Sequence, residues 1–481
     1  MTCKKLSSFV RRENTRSLEG TAWVGVLVFL ILWSPAFSSS VLGQEPGSVR
    51  ETTSQMVRPK MGLPDLIKLA LKHNPGLSAI RKEVDVADQG ILAAKGEWFG
   101  RIDVEISDFT YGPDNLPLVM KSLVVKQGNI IRDGAGEHNL NLFSFGGSIT
   151  IPLYTGGRIT NRIKLEELGR ELIANRVAQT QDELIFNVTS VYYNILRIRD
   201  FVDAAQKSKE QLLESQRVVR QRFSVGKAAK VDTFKVNTRL AAVEQLLIRL
   251  LNQQAILQSA LAVLLGEEAG TSRFEVAGDL RTLSPVLKTF AGLQEAQERA
   301  KQRRPELLAT RQALSMQEKN IRISFAEHLP NITLRGQVQG ITGDNSALFA
   351  QQFAGIFFSV PLFAGGTIDA KVSQERIRLT KLQHELTQLT LRVAQEVQAA
   401  YLNTLEAHQR ISAAQAALDE AKEVLRIEAL KVQEGKSIIE TLLDAQTAQL
   451  QAEQNFSAAV ADYQIQLMAL KKAIGQIEVA G

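Results

Sequence analysis

Two closely similar nine-residue stretches constrain the fold of this chain more than any other feature. Residues 150–158 read TIPLYTGGR and residues 359–367 read SVPLFAGGT, 209 positions later. In each copy a segment with alternating apolar residues leads to Pro, an aromatic residue and Gly-Gly, and a long segment without proline follows. This order predicts a strand that ends and a helix that begins. The predicted strand-to-helix junctions are marked by Pro152, Gly156, Gly157, Pro361, Gly365 and Gly366.

The two junctions belong to a tandem duplication of about 200 residues. The 209-residue offset also relates Tyr192 to Tyr401, Asn194 to Asn403, Gly226 to Gly435 and Gly266 to Gly475. Residues 66–84 resemble residues 293–314 at an offset of 230, so the first copy carries 21 additional residues. The predicted organisation is a signal peptide (1–43), an N-terminal extension (44–62), a first repeat (63–266), a linker (267–292), a second repeat (293–475) and a C-terminal tail (476–481).

Each repeat is predicted to contain two strands after an opening helix, which in the first repeat covers residues 63–97. The strands are predicted at 101–109, 143–153, 331–340 and 353–363, and they alternate apolar with polar or charged residues. Such a pattern fits a half-buried sheet against helices. Full charges on the polar face and a length near the 9–11 residues of a tilted membrane strand favour a membrane barrel instead. Four strands cannot close a barrel, so other subunits would have to complete it, and the Phe cluster at 353–363 would suit an interfacial aromatic girdle.

A long helix is predicted after each junction. Residues 158–222 contain no proline and one glycine, and one helix of this length spans about 97 Å. Apolar residues follow steps of four and three from Leu184 to Phe223 and from Val393 to Leu425, which predicts supercoiled packing against neighbouring helices. Gly226 and Gly435 are the predicted turns of two helical hairpins.

The N-terminus has the organisation of a secretory signal. A basic segment precedes 13 apolar residues (21–33), and small residues follow. The alternative is a retained anchor, although 13 residues are short for a span of about 20. Cys3, the only cysteine, lies in this segment, so the rest of the chain offers neither disulfides nor a lipid-anchor cysteine. Without residues 1–43 the net charge is +3, which gives no reason to expect a nucleic-acid partner. No later run of 18 apolar residues predicts a transmembrane helix.

The chain resembles the TolC-like outer-membrane efflux proteins. The resemblance lies in the duplicated elements, the NP and RPEL sequences of the opening helices, both Gly-Gly junctions and QRFSVGKAAKVD at the first turn. The resemblance covers nearly all of residues 60–476. It implies a mainly α fold with membrane β-strands: a homotrimer whose four strands per subunit form a 12-stranded barrel above a periplasmic α-helical barrel. It also implies an outer-membrane efflux duct whose partners are a periplasmic adaptor, an inner-membrane transporter and outer-membrane lipid. The surplus of the first repeat then fits an extracellular loop at 111–138.

The resemblance also assigns roles to the helical tips. Val225, Gly226 and Lys227 occupy the place of an adaptor-docking turn, and Gly435 and Lys436 occupy the second turn. Lys227, Lys230 and Lys436 make this tip basic, which would suit an acidic adaptor surface. Asp232, Glu440 and Asp444 lie at or next to acidic positions around the periplasmic mouth, where a threefold ring of carboxylates would attract cations. The alternative for Glu440 and Asp444 is a solvated stripe near a helix N-terminus. The Tyr and Arg of the family latch are replaced by Val432 and Ser437, so the closed mouth would be held by other contacts.

No catalytic, cofactor or metal site is expected from the sequence. The five histidines (73, 138, 328, 384 and 408) are isolated, and no phosphate-binding loop of the GxxxxGK[ST] form occurs. The expected function is therefore a passive exit duct for substrates handed over by an inner-membrane pump. The alternatives are the exit duct of a type I protein-secretion system and a soluble periplasmic coiled-coil scaffold.

Overall fold

A computed structural model of the chain describes residues 60–111, 140–270, 274–282, 292–343 and 346–477. The predicted signal peptide, most of the loop at 111–138, part of the linker and most of the tail lie outside these residues. The helices are α1 (Leu63–His73), α2 (Pro75–Gly96), α3 (Arg158–Ser224), α4 (Lys230–Leu264), α5 (Leu293–Arg303), α6 (Pro305–Phe325), α7 (Thr367–Gln433) and α8 (Ile439–Ile474). The strands are β1 (Lys60–Met61), β2 (Arg101–Tyr111), β3 (Leu140–Tyr154), β4 (Glu275–Val276), β5 (Asn331–Gly343) and β6 (Ser346–Ser359).

The single opening helix predicted for residues 63–97 is wrong, because the chain breaks at Asn74. Asn74 has extended backbone geometry, and its side chain accepts a hydrogen bond from Leu77 N at 2.9 Å. Asn is a favourable N-cap and Pro75 fits the first turn of the next helix. The residue before a proline is also driven away from helical geometry. The second repeat breaks in the same way at Arg304, before Pro305.

The first long helix, predicted at 158–222, ends two residues later in the structure, and its apolar seam is buried. Leu184, Val188, Ile195, Leu212 and Val219 are each at most 6% exposed. Phe223, at the end of the predicted seam, is the exception and is 47% exposed. At 1.5 Å per residue, the 67-residue helices α3 and α7 each measure about 100 Å.

Helices α3 and α8 are held in register by polar contacts inside this seam. Ser457 donates a hydrogen bond to buried Asp200 at 3.1 Å, and Gln446 donates to Ser215 at 3.1 Å. Because unpaired polar groups are costly when buried, these pairs disfavour helix slippage.

In the part of the chain that the structure describes, one helix, α4, is long and apolar enough to cross a membrane by length and composition. In its most apolar 18-residue window, 22% of the residues are buried. The sequence expectation of no such helix rested on uninterrupted apolar runs, whereas α4 intersperses Glu and Gln among Leu and Ile. Its buried residues Val236, Val243 and Leu247 pack in a cluster with Ala205 and Leu212 of α3.

Four long strands form one antiparallel sheet in the order β2-β3-β5-β6. The central pair therefore joins the second strand of the first repeat to the first strand of the second repeat, with Thr150 opposite Arg335. Strands β2 and β6 are the edges of this sheet in the described part of the chain. Separately, β1 pairs in parallel with β4, and β4 lies on α3, where Tyr192 donates a hydrogen bond to Ala277 O at 2.7 Å.

The ionised carboxylate of Asp182 in α3 destabilises the folded state at neutral pH. Burial raises the pKa of its carboxyl group to about 6, while Lys472 opposes the shift and Glu183 adds to it. Since the folded pKa exceeds the unfolded value, the folded state binds the extra proton, and stability falls as the pH rises from about 4 to about 6. We expect Asp182→Asn to increase the free energy of unfolding at pH 7.5 by about 1 kcal/mol, a value reduced for partial exposure. Thermal unfolding at pH 7.5 and pH 4 checks this, with Glu167→Gln, at an exposed carboxylate of the same helix, as the control for charge removal. An equal gain from Asp182→Asn at both pH values would contradict it.

Candidate functional site

The two helical hairpins turn through the same geometry at their tips. Gly226 and Gly435 have φ of 73° and 74°, which glycine adopts without steric cost. After each glycine a lysine N–H returns to the helix: Lys227 N donates to Arg222 O and Lys436 N to Lys431 O, both at 2.8 Å. This pattern is a glycine C-cap that satisfies the last carbonyl groups of the helix.

The two turns lie side by side. Arg222 of α3 donates a hydrogen bond to Val432 O of α7 at 2.6 Å, and Val432 itself is only 4% exposed. Ser437 donates to Glu428 at 2.8 Å and lies 2.7 Å from the Thr441 hydroxyl group. Val432 and Ser437 replace the Tyr and Arg of the family latch. Within one copy, Val432 is packed and Ser437 is hydrogen-bonded.

The outer surface of the tip is apolar as well as basic. Lys230 lies 5.8 Å above the ring of Phe234, and Lys436 forms an ion pair with Glu434 at 2.6 Å. The exposed apolar side chains are Phe223, Val225, Val231, Phe234 and Ile438, all between 47% and 64% exposed.

The three predicted mouth carboxylates all have partners within the chain. Asp232 accepts a hydrogen bond from Ala229 N at 3.1 Å and so closes the N-terminus of α4. Glu440 forms an ion pair with Lys235, and Asp444 forms one with Arg239 at 3.0 Å. The hydrogen bond from Lys235 lowers the pKa of Glu440, and the same contact raises the pKa of Lys235. Two carboxylates of the expected ring are thus balanced by cations of α4.

Lys235 and Arg239 are the functional candidates that sequence reasoning missed. They are four residues apart on α4, as Glu440 and Asp444 are on α8, and both pairs span the same 205 residues. The sequence does show two cations four residues apart on α4 and two carboxylates four residues apart on α8. Whether these residues form ion pairs depends on the register between the two helices, which the sequence does not specify.

The four-stranded sheet has one apolar face and one polar face, as predicted. On β2, Ile102, Val104 and Ile106 are 67–76% exposed, so the described residues leave this face uncovered. On the opposite face, Gln339 donates to Ser144 at 3.3 Å and Gln351 donates to Gln339 at 3.2 Å.

The Phe cluster at 353–363, which would suit an interfacial aromatic girdle, is divided between the two faces of the sheet. Strand β6 ends at Ser359, and Phe353 and Phe357 lie opposite Gln337 and Thr333 on the polar face. The Arg335 guanidinium lies 5.2 Å from the centre of the Phe357 ring, a cation–π contact. Phe358 has the opposite parity and shares the apolar face with Ile356.

The two strand-to-helix junctions share their backbone geometry and differ in cover. Gly156 and Gly157 have φ of 62° and 80°, and Gly365 and Gly366 have φ of 59° and 75°. Pro152 lies within β3 at a register irregularity, whereas Pro361 follows the end of β6. A Cβ atom at Gly156 would lie 2.7 Å from Leu329 Cβ, but one at Gly365 would meet nothing within 4 Å.

The arrangement offers no metal centre: across the described residues, no three His, Cys, Asp or Glu side chains are grouped to hold an ion. The elements that remain are a sheet with two unlike faces, long packed helices and charged tips.

The sequence model of outer membrane efflux proteins matches residues 66–267 and 296–476, one segment in each repeat. The chain belongs to the outer membrane efflux protein family. This confirms its expected role as an outer-membrane efflux protein and its outer-membrane location, and it leaves the periplasmic-scaffold alternative without support.

Several curated relatives share this ancestry. The outer membrane protein TolC of Vibrio cholerae is 25% identical over 360 residues, which cover 73% of this chain and 80% of that protein. The alkaline protease secretion protein AprF of Pseudomonas aeruginosa is 23% identical over 295 residues, or 60% of each chain.

The solved structures show the same fold. A structure of CusC superposes with a TM-score of 0.72 at 20% identity and covers 89% of this chain and 99% of its own. The open state of the MtrE channel of Neisseria gonorrhoeae superposes with a TM-score of 0.69 at 19% identity and covers 92% and 97%.

Proposed function

We propose that three copies of this chain form a passive exit duct across the outer membrane. In this proposal the sheets of three copies close a 12-stranded barrel, and the long helices continue it as a periplasmic tunnel. An inner-membrane pump supplies the energy and a periplasmic adaptor contacts the helical tips. The duct itself carries out no chemistry.

The observation that carries the proposal is the sheet of β2, β3, β5 and β6. Its apolar face is exposed in the single chain, and its edge strands have no partner among the described residues. Unpaired strand edges are not tolerated in hydrocarbon, so a membrane sheet must close into a barrel. Other copies of the same chain supply the missing strands at both edges.

Protein secretion is the second candidate function. The similarity to a protein named for alkaline protease secretion supports it, and the duct would be the same in both cases. The inner-membrane partner would then determine whether small molecules or proteins leave through it.

We expect native mass spectrometry in mild detergent to give three times the chain mass, and reconstituted protein to conduct ions without a nucleotide. Val104→Arg should impair membrane assembly, because an arginine on the lipid face costs about 2–4 kcal/mol near the bilayer centre. Ser148→Arg on the polar face is the matched control and should assemble. A monomer in detergent, or equal behaviour of the two variants, would overturn the proposal.

A further inference from the structure

A pocket of about 200 Å³ lies between α1, α3 and α8. Its apolar walls come from Leu63 and Ile67 of α1, Ile185 of α3, and Leu467 and Met468 of α8. Every residue that lines the pocket belongs to the same copy, so the pocket does not depend on the proposed assembly. It brings together two helices of the first repeat and the last helix of the second.

The helical period explains why these residues share one pocket. Ile185 and Tyr193 are eight residues apart on α3, and Gln464 and Lys471 are seven residues apart on α8. Residues at such spacings lie on one face of a helix. The base of the pocket is buried, since Ile67 and Ile185 are 7% and 4% exposed. The pocket is therefore a concavity of the packed interior.

The hydroxyl group of Tyr193 is the first unmatched polar group of this pocket. Tyr193 is 8% exposed, and its hydroxyl group has no hydrogen-bond partner among the residues that the structure describes. The neighbouring Tyr192, by contrast, donates a hydrogen bond to Ala277 O at 2.7 Å. Burial raises the pKa of Tyr193 to about 12, so at neutral pH its hydroxyl group is protonated and can donate. Buried polar groups usually have a partner, and a ligand would supply the one that is missing here.

Lys471 places an unmatched positive charge on the same pocket. It is half-buried, and in the described ranges of the chain no carboxylate pairs with its ammonium group. The side chain of Gln464 likewise forms no hydrogen bond to any residue that the structure describes. The adjacent Lys472 differs, because its ammonium group lies 5.2 Å from the centre of the Phe186 ring. A cation next to apolar walls favours an anionic partner.

The second repeat does not keep these features. At the offsets of the duplication, Ile67 and Ile185 correspond to Gln297 and Ala394. Gln297 donates a hydrogen bond to Ala394 O at 3.2 Å and so satisfies its own side chain within the helix pair. The counterpart of Tyr193 is a leucine, residue 402. The duplicated fold therefore does not require the apolar walls and the unmatched hydroxyl group of the first repeat.

We propose that this pocket binds a small carboxylic acid with an apolar body, for which a phenylalkanoate is the model. The apolar body packs against Ile67, Ile185 and Met468. The carboxylate accepts hydrogen bonds from the Lys471 ammonium group and the Tyr193 hydroxyl group, and hydrogen bonds to a charged group are stronger than neutral ones. The volume is below the roughly 300–1,000 Å³ of sites for drug-sized ligands, so the acid is small.

A bound acid contacts both repeats at once. Helices α1 and α3 belong to the first repeat, and α8 belongs to the second. Because the pocket exists only where the three helices are packed together, the ligand stabilises their mutual arrangement. A small molecule in the surrounding solution can thereby strengthen the packing between the repeats.

The methionine methyl groups provide a reporter inside the pocket and one outside it. Met468 lines the pocket, whereas the Cε atom of Met316 lies 3.6 Å from the Cβ position of Gly169 on α3. In protein with ¹³C-labelled methionine methyl groups in lipid nanodiscs, sodium 4-phenylbutanoate should shift the Met468 signal saturably and leave Met316 unchanged. The substitutions Met468→Leu and Met316→Leu assign the two signals. At matched concentration 4-phenylbutylamine, which has the same body and the opposite charge, should not shift Met468.

Two substitutions test the polar contacts. We expect Lys471→Gln and Tyr193→Phe each to weaken the binding of 4-phenylbutanoate about tenfold, because each removes a donor to the carboxylate. Lys472→Gln removes the same charge from the neighbouring position and should leave the affinity unchanged. The Tyr193 hydroxyl group has no partner in the described chain, so its removal should not lower the thermal unfolding temperature. The absence of a saturable shift, an equal response to the amine, or an unchanged affinity in both variants would overturn the inference.

A segment of the chain itself is the competing occupant. Residues 44–59 precede α1, whose first two residues line the pocket. The same titration of a variant that lacks residues 44–59 should give the same affinity as the full chain. If Met468 responds only in the shortened chain, the pocket holds part of the protein and the inference is overturned. Native mass and conductance test the proposed duct separately from all of these results.

Discussion

Replacing Lys235 and Arg239 together with Glu is expected to raise the conductance of the reconstituted duct several-fold and to increase its preference for cations. The change removes the two ion pairs between α4 and α8 and places four acidic side chains on facing helices of each copy. Like charges at this spacing repel the helices. Glu440 and Asp444 would also lose the cations that balance them, so a ring of uncompensated carboxylates would attract cations.

The size of the effect follows from the number of pairs. All four side chains are 39–63% exposed, so water and salt screen each pair and a single pair contributes little by itself. Two pairs recur in each of the three copies of the proposed duct, so their combined loss is expected to shift the equilibrium between a narrow and a wide mouth towards the wide form. High salt should weaken the same pairs.

A charge swap separates pairing from simple loss of function. In Lys235→Glu/Glu440→Lys the pair is restored with reversed polarity, so we expect conductance close to that of the unmodified protein. Single-channel recordings at low and high salt provide the measurement. If the swap and the double Glu variant conduct equally well, the ion pairs do not hold the mouth.

The local elements could be predicted from the sequence because their signals are local. The Gly-Gly junctions, the heptad seam of α3 and the turns at Gly226 and Gly435 are each specified by a few neighbouring residues. The break at Asn74 was also written locally, as an Asn-Pro pair. It was missed because the apolar pattern of the opening helix continues across it.

The remaining features depend on register between distant segments. The side of the sheet on which Phe357 lies is set by the pairing of β6 with β5, and a shift of one residue would exchange the faces. The partners of Glu440 and Asp444 depend on how α4 lies along α8. Neither relation can be predicted from the sequence of a single segment, because each depends on how two distant segments are aligned.

Among the substitutions considered, the largest loss of stability is expected at Gly266, where the end of α4 packs closely against the break between α1 and α2. Gly266, two residues after α4, has φ of 81°, and a Cβ atom there would lie 2.5 Å from His73 O and 3.4 Å from Pro75 Cδ. Asn74 donates a hydrogen bond to Leu264 O at 3.0 Å, which fixes the end of α4 on the break between α1 and α2. The backbone of residue 73 cannot move away without breaking this contact.

We therefore expect Gly266→Ala to lower the free energy of unfolding by about 2–5 kcal/mol. A left-handed conformation costs an alanine about 1–2 kcal/mol, and overpacking against backbone adds about 1–3 kcal/mol. Gly226→Ala is the matched control, since Gly226 has a similar φ of 73° and nothing within 4 Å of its Cβ position, and it should lose only the conformational part. Denaturant midpoints of the two variants in the same detergent measure the difference. Equal losses would mean that backbone conformation alone, and not the contact with His73, makes glycine necessary at residue 266.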